Sequence, residues 1–324
     1  MLKKIVLIML GLALSLSACS TPKSASGALT KISLPMGYIP NVQFAPFYVA
    51  VEKRYFKDAG IEITFDYKFE TDGVALVGAN NLPFAVVSGE QVPLARAQGL
   101  PIVYVAAWYQ KYPVAVVSKT SQNIQTPADL KGKKIGLPGL FGANYIGLDA
   151  LLYSAGLAEK DVTLDSIGFN QVAALAADRE QAASVYSANE PVQLKAQGYA
   201  INELQVADYV KLASNGIITN EKTITENPNL VRGFVKAFLH GLSDTIANPD
   251  EAYTISTKYV DTLAGADQKV QKEILARSID EWKTDRLGMS DPQAWQNMND
   301  TLLKMGSITK PLDVSKMFTN DFIP

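Results

Sequence analysis

Rings and amides cluster at a few points along the chain: Asn41 with Phe44, Trp108 with Tyr109, Phe141 with Tyr145, and Tyr186 with Asn189, with Asn215 standing further on. Aromatic side chains offer flat apolar walls, and amides place donors and acceptors at fixed positions, the combination that holds a planar heterocycle. Two acids join them. Glu90 follows Ser88 by two residues and Glu190 follows Asn189 directly, each at the opening of a helical pattern. A carboxylate there can accept a hydrogen bond from a ligand, but the helix dipole alone also favours it. Covalent chemistry is poorly served. A single histidine, His240, lies in the amphipathic run from 234 to 242, and Cys19 is the only cysteine. Neither a hydrolytic triad nor a histidine or thiolate metal site can be assembled from them. No catalytic residue, cofactor or metal is therefore expected. The enzyme alternative would use Glu90 or Glu190 as a general acid or base on a bound heterocycle.

The elements that would carry these residues alternate between strand and helix. Lys31 to Met36 reads as a strand, Ala45 to Ala59 as a helix stopped by Gly60, and Ile61 to Phe69 as a period-2 strand. A short helix from Asp72 to Ala79 follows. Phe84 to Val87, Glu90 to Gln98 and Ile102 to Ala107 then make a βαβ unit that ends directly before Trp108. Pro113 to Lys119 and Lys134 to Leu137 are further strands. Beyond them come a helix from the Gly139 to Gly142 turn to Ala155, a strand at 162 to 167, a helix at 172 to 177, a strand at 182 to 186 and a helix from Glu190 to Gln197. A strand-like stretch at 210 to 218 precedes a mainly helical tail, with helices expected from Pro228 to Ala247, 251 to 259, 266 to 285, 292 to 305 and 314 to 318. The glycine-rich turn Gly136-Leu137-Pro138-Gly139-Leu140-Phe141-Gly142 lacks a following Lys-Ser or Lys-Thr and is not a Walker motif.

One internal similarity organises this ladder. Val86-Val87-Ser88-Gly89-Glu90-Gln91 through Ala97-Gln98-Gly99 matches Val185-Tyr186-Ser187-Ala188-Asn189-Glu190 through Ala196-Gln197-Gly198 without a gap. Each copy places a helix start just beyond the carboxyl end of a strand, where open α/β sheets bind ligands.

The N-terminus has a separate role. Lys3-Lys4, an apolar run from Ile5 to Leu16 and Leu16-Ser17-Ala18-Cys19 have the three-part layout of a secretory signal, and the apolar run is too short for a bilayer span of roughly 20 residues. The last four residues resemble the lipobox of bacterial lipoproteins, which implies that Cys19 receives the lipid, with palmitate-type acyl chains, and becomes the first residue of the mature chain. Residues 20 to 30, rich in Ser, Thr, Ala and Gly, then form a tether. With 30 basic and 32 acidic residues, a chain that sheds Lys3 and Lys4 has no electrostatic reason to bind nucleic acid.

From Gly37 to Ile61 the chain reads Gly-Tyr-Ile-Pro-Asn-Val-Gln-Phe-Ala-Pro-Phe-Tyr and then, from Ala50, Ala-Val-Glu-Lys-Arg-Tyr-Phe-Lys-Asp-Ala-Gly-Ile. With Asp129-Leu130-Lys131-Gly132-Lys133-Lys134-Ile135-Gly136, this resembles the thiamine-precursor-binding (NMT1/THI5-like) family of ABC-transporter solute-binding lipoproteins. Phe69-Glu70-Thr71-Asp72, Ser88-Gly89-Glu90-Gln91 and the 136 to 142 turn look like its riboflavin-binding branch. The chain departs from the pyrimidine-binding members in carrying Tyr38-Ile39 where they usually have a tryptophan. It also lacks the cysteine-rich stretch of the yeast pyrimidine synthases.

The resemblance implies an α/β, two-lobed periplasmic-binding-protein-like fold with a hinge and a central ligand cleft. Expected boundaries are 1–18 for the signal, 19–30 for the tether, 31–118 with 219–324 for lobe 1, and 119–218 for lobe 2. The implied function is capture of an aromatic vitamin, riboflavin first and a thiamine-precursor pyrimidine second, by a monomer held to the extracytoplasmic face of the cell membrane. It would deliver the ligand to an ABC permease and ATPase. The ligand-binding residues expected are Asn41, Phe44, Ser88, Glu90, Trp108, Tyr109, Phe141, Tyr145, Tyr186, Asn189, Glu190 and Asn215.

Overall fold

Strands too short to form a core alone are gathered into two layers by the helices that follow them, in a computed structural model that describes residues 28–324. Cys19, the expected signal and most of the tether lie outside those residues. The first lobe starts with β1 (Thr30–Pro35), α1 (Ala45–Glu52), α2 (Tyr55–Asp58), β2 (Ile61–Asp66), α3 (Glu70–Gly78), β3 (Ala85–Val87), α4 (Gln91–Ala97) and β4 (Ile102–Ala107). The chain then crosses to β5 (Val114–Lys119), β6 (Lys134–Leu137), α5 (Gly142–Ser154), β7 (Thr163–Ser166), α6 (Gln171–Ala176), β8 (Ala182–Tyr186), α7 (Glu190–Ala196) and β9 (Ile201–Gln205). It returns through β10 (Gly216–Asn220) to α8 (Glu221–Glu226), α9 (Pro228–Ala247), α10 (Pro249–Ser256), α11 (Gln268–Trp282) and α12 (Pro292–Lys304).

Sheet pairing shows two copies of one topology. In the second lobe the order is β7-β6-β8-β5-β9, with β5 antiparallel to both neighbours. In the first lobe β1 pairs with β2 in parallel and packs beside β3, and β10 sits antiparallel between β3 and β4. Each sheet thus receives one antiparallel strand just after the chain crosses over. The repeated segments fall on equivalent places, β3-α4-β4 and β8-α7-β9, and Gly99 and Gly198 end their helices with φ of 86° and 87°, the left-handed conformation glycine adopts at no Cβ cost.

Several expectations change. Sheet membership puts Val114–Lys119 in the second lobe and Gly216–Asn220 in the first, so the boundaries at 118/119 and 218/219 cut strands, and the crossings are 108–113 and 206–215. Trp108 and Tyr109 both donate their N–H groups to the Asn215 carbonyl, at 3.0 Å each, which ties the two crossings together. The segment expected as one βαβ unit has β10 inserted between its strands. The helix expected over 45–59 breaks at Arg54, whose φ of 66° is left-handed. The strand expected to reach Phe69 ends at Asp66. The strand expected at 210–218 begins at Gly216, and 314–318 forms only a 3-10 turn.

The buried side chains form separate clusters on the faces of the sheets, one of which draws on both lobes. Phe47, Phe234, Phe238 and Trp282 are fully buried around α1, α9 and α11, and each such side chain contributes about 2–3 kcal/mol by leaving water. Gly241 lets α9 close on α1, because a Cβ there would come within 2.1 Å of the Pro46 carbonyl. His240 is exposed on α9, its ring edge-on to Tyr55. Among the described residues no helix is long and apolar enough to cross a membrane.

Candidate ligand-binding cleft

The carboxyl ends of the parallel strands in both lobes, and the amino end of the antiparallel β10, point into one cleft. After β1 come Met36, Gly37 and Tyr38, and the next turn, Val42–Phe44, delivers Gln43 and Phe44. The start of α3 gives Phe69, Glu70 and Thr71, and the end of β4 gives Trp108 and Tyr109. The second lobe supplies Phe141 to Asn144 at the start of α5, Phe169 and Gln171 before and at the start of α6, and Tyr186, Asn189 and Glu190 after β8. Counted out to its open mouth the space between them is about 930 Å³, of which the enclosed part is about 100 Å³.

Its deep wall is aromatic. Trp108 lies over Phe44 with ring centroids 5.5 Å apart and planes 31° apart, and Trp282 backs it at 5.6 Å. Polar groups are set among these rings. Gln43 donates from Nε2 to the Tyr109 hydroxyl and to Ser278 Oγ, both at 3.1 Å. Asn215 donates to the Tyr186 hydroxyl at 2.9 Å, while its Oδ1 and the Trp108 Nε1 are buried without a partner. Buried polar atoms are ordinarily satisfied, which sets these two apart on one wall.

Rings from opposite lobes meet at the mouth. Tyr38 packs edge-on against Phe169 at 4.8 Å, and Phe69 meets Phe141 at 5.8 Å and Phe169 at 6.4 Å. The three phenylalanines are nonetheless 52%, 49% and 42% exposed for Phe69, Phe141 and Phe169 respectively. Closing the cleft over a ligand would take these rings out of water, so closure gains apolar burial from both lobes.

Among the described residues no lysine, arginine or histidine lines the cleft; its ionisable groups there are Glu70, Glu190 and tyrosines. Glu190 is held by its own turn: Oε2 accepts the Tyr186 N–H and Oε1 accepts the Asn189 side-chain amide, both at 2.9 Å. Burial, partly offset by these bonds, pushes its carboxyl up to about 7. Glu70 is pushed up to about 8, first by burial and then by the neighbouring Glu90. Among the described residues no cluster of three or more His, Cys, Asp or Glu could hold a metal.

Of the residues expected from sequence, Phe44, Trp108, Tyr109, Phe141, Tyr186, Asn189, Glu190 and Asn215 share this cleft. Four do not. Asn41 caps the 42–44 turn, accepting the Gln43 N–H at 2.9 Å. Ser88 and Glu90 have no exposed surface and stand behind the wall, off the cleft's lining. Tyr145 faces a separate depression and donates its hydroxyl to Glu159 Oε2 at 2.7 Å. Glu70, Phe69, Thr71, Phe169 and Gln171 were not expected. Glu70 carries the same signal as Glu90, an acid in a first helical turn after a strand; the strand expected to end at Phe69 stops at Asp66, and Phe169 stands in a loop where no periodicity marks it.

The family model described as NMT1/THI5 like matches residues 41–252. The chain is 41% identical to the riboflavin-binding protein RibY of Chloroflexus aurantiacus, covering 99% of this chain and 96% of that one. It is 26% identical to the formylaminopyrimidine-binding protein of Halalkalibacterium halodurans, covering 98% of each. Among solved structures, the periplasmic aliphatic sulphonate-binding protein SsuA of Escherichia coli superposes with a TM-score of 0.73 over 91% of this chain and 92% of that one, at 14% identity. That last likeness is one of fold.

Proposed function

The chain belongs to the NMT1/THI5-like family, and from that premise we propose that it is the solute-binding lipoprotein of an ABC importer, with riboflavin as its ligand. The observation that carries the reading is a cleft lined from both lobes by rings, amides and two carboxylates, with no cationic side chain among the described residues. An isoalloxazine ring needs flat apolar surfaces, which Phe44, Trp108 and Tyr186 offer, and edge partners for its carbonyls, ring nitrogens and N–H. Glu190 and the amides around it suit the hydroxyls of a ribityl chain. A phosphate would enter this cleft with no charged partner, at a cost of several kcal/mol. The site therefore selects riboflavin over its phosphate.

Titration of the purified protein with riboflavin should quench flavin fluorescence with one site per chain, and flavin mononucleotide should bind at least ~10-fold more weakly. An unchanged flavin signal would remove the assignment. A second reading has its own support. Carboxylates that accept N–H donors also suit the amino groups of a formylaminopyrimidine, which one relative is named for binding. Competition of that pyrimidine against bound flavin separates the two.

Location follows from Cys19. Lipidation there would hold the receptor at the extracytoplasmic face beside its permease and ATPase, with residues 20–30 leaving both lobes free to move. Cells fed labelled palmitate should label the wild-type chain and not Cys19→Ser; label on both would refute the anchor.

A further inference from the structure

Behind the cleft wall, Ser88 Oγ contacts Glu70 Oε2 on one side and Glu90 Oε1 on the other. A hydroxyl has one proton to give. It can donate to one carboxylate only, so the second contact requires a carboxyl that donates to the serine. The remaining bonds say which. Gln91 Nε2 donates to Glu90 Oε1 at 3.2 Å, which makes that oxygen an acceptor. The Ser88 N–H donates to Glu70 Oε1 at 3.0 Å, so that oxygen accepts as well. A proton on Glu90 Oε2, which is buried with no partner, would leave one serine contact as two facing oxygens. A proton on Glu70 Oε2 satisfies every contact without asking any carboxyl oxygen to donate and accept at once: Glu70 donates to Ser88, and Ser88 donates to Glu90.

We propose that Glu70, Ser88 and Glu90 form a proton-sharing relay that keeps Glu70, a wall of the ligand cleft, as a neutral acid, so that ligand capture depends on one held proton. The proposal rests on the reading of this cleft as the capture site. Glu70 is a positioning and specificity residue within it. While it is neutral the cleft carries at most the charge of Glu190 and accepts an uncharged heterocycle. Once the proton is lost, two carboxylates crowd one serine and the wall must move.

The surroundings hold the pair in place without neutralising it. The other titratable groups that bear on Glu70 are the hydroxyls of Tyr112, before β5, and Tyr186, after β8. Tyr112 donates to the Ala143 carbonyl at 3.0 Å and Tyr186 accepts from Asn215. Lys68 is drawn to Asp66 at 2.9 Å, and Asp72 on the same helix as Glu70 is exposed. Glycine is required at position 37, with φ +75°, because a Cβ there would meet Glu70 Cγ at 2.6 Å.

Two pH profiles test this, one with ligand and one without. Riboflavin affinity should fall above about pH 8, by up to about ten-fold per pH unit for one linked proton. Glu70→Gln, whose amide can donate to Ser88 without titrating, should abolish that fall. In the unliganded protein a carboxyl raised on folding binds its extra proton between its unfolded and folded titrations. Stability is then highest in acid and declines as pH climbs toward about 8. The thermal midpoint of Glu70→Gln should decline less steeply than that of the wild type, whose other buried acids, Glu190 and Glu281, remain. Parallel declines overturn the proposal. If Glu70→Gln does not fold, Glu90→Gln decides: removing the neighbouring charge should shift the wild-type fall to lower pH, and an unmoved midpoint overturns it. Should riboflavin fail to bind at all, the ligand assignment falls, and the unliganded profiles still judge the relay.

Discussion

The turn after β3 and the turn after β8 occupy the same place in two copies of one topology, yet they use their acids in opposite ways. In the first lobe the order is Glu90 then Gln91; in the second it is Asn189 then Glu190. Each amide donates to the carboxylate beside it, Gln91 to Glu90 at 3.2 Å and Asn189 to Glu190 at 2.9 Å. The swap of one position decides whether an acid of the turn faces inward. Gln91 lines the cleft while Glu90 turns behind the wall and meets Ser88 and Glu70; in the second lobe both Asn189 and Glu190 line it. The serines differ in the same sense. Ser88 bonds within its own lobe, and Ser187 reaches Glu281 on α11 of the other lobe. Equal topology fixes where a helix begins; the order of two residues at its start fixes what the ligand meets.

The largest effect expected from this comparison is steric. Gly89 presses on the second crossing segment, and a Cβ there would meet the Ala213 carbonyl oxygen at 2.4 Å. Its counterpart, Ala188, is buried with its methyl already accommodated. Gly89→Ala should therefore destabilise the protein by about 3 kcal/mol, because backbone cannot step aside as a side chain can. The mirror change, Ala188→Gly, should cost only about 1 kcal/mol of backbone freedom. Denaturant unfolding measures both, and equal losses would mean that the two turns are not packed as differently as described.

Sequence pattern revealed the ladder well wherever strands were buried on both faces. Ile102–Ala107 and Val114–Lys119 are apolar runs, and both were expected. β9 was not expected, because at the sheet edge only Leu204 of Ile201–Gln205 is buried and the period-2 signal is lost. The insertion of β10 between β3 and β4 is a tertiary choice that no local pattern encodes. In the cleft, rings at the carboxyl end of a strand, Trp108 just after β4 and Tyr186 closing β8, were legible from position. Tyr145 was misread because one step along α5 turns a side chain away from the cleft, where Asn144 remains on its lining. Phe69 and Phe169 were illegible for a different reason: they meet only across the mouth, and that meeting exists only in the folded pair of lobes.

A smaller effect, and a finer test of the swap, concerns Glu190. Ionised, it is the stronger acceptor, since a hydrogen bond to a charged group is worth about 1 kcal/mol more than a neutral one. Burial places its titration at about 7, so ligand affinity should rise as pH climbs through that value, up to the fall set by Glu70 above about 8. The wild-type profile is then a bell. Glu190→Gln keeps the side chain's shape and an oxygen for the Tyr186 N–H, but it removes the charge. Affinity near pH 7.5 should drop about five- to ten-fold, and the rising limb should vanish while the falling limb stays. Gln91→Ala, in the equivalent place of the first lobe, should weaken binding less and leave both limbs in position, because no group at 91 titrates. Isothermal titration across pH 6 to 9 reads all of this at once. A rising limb that survives Glu190→Gln would show that the acid presented to the ligand is not the one the second lobe carries at this turn, and the contrast between the two turns would lose its functional meaning.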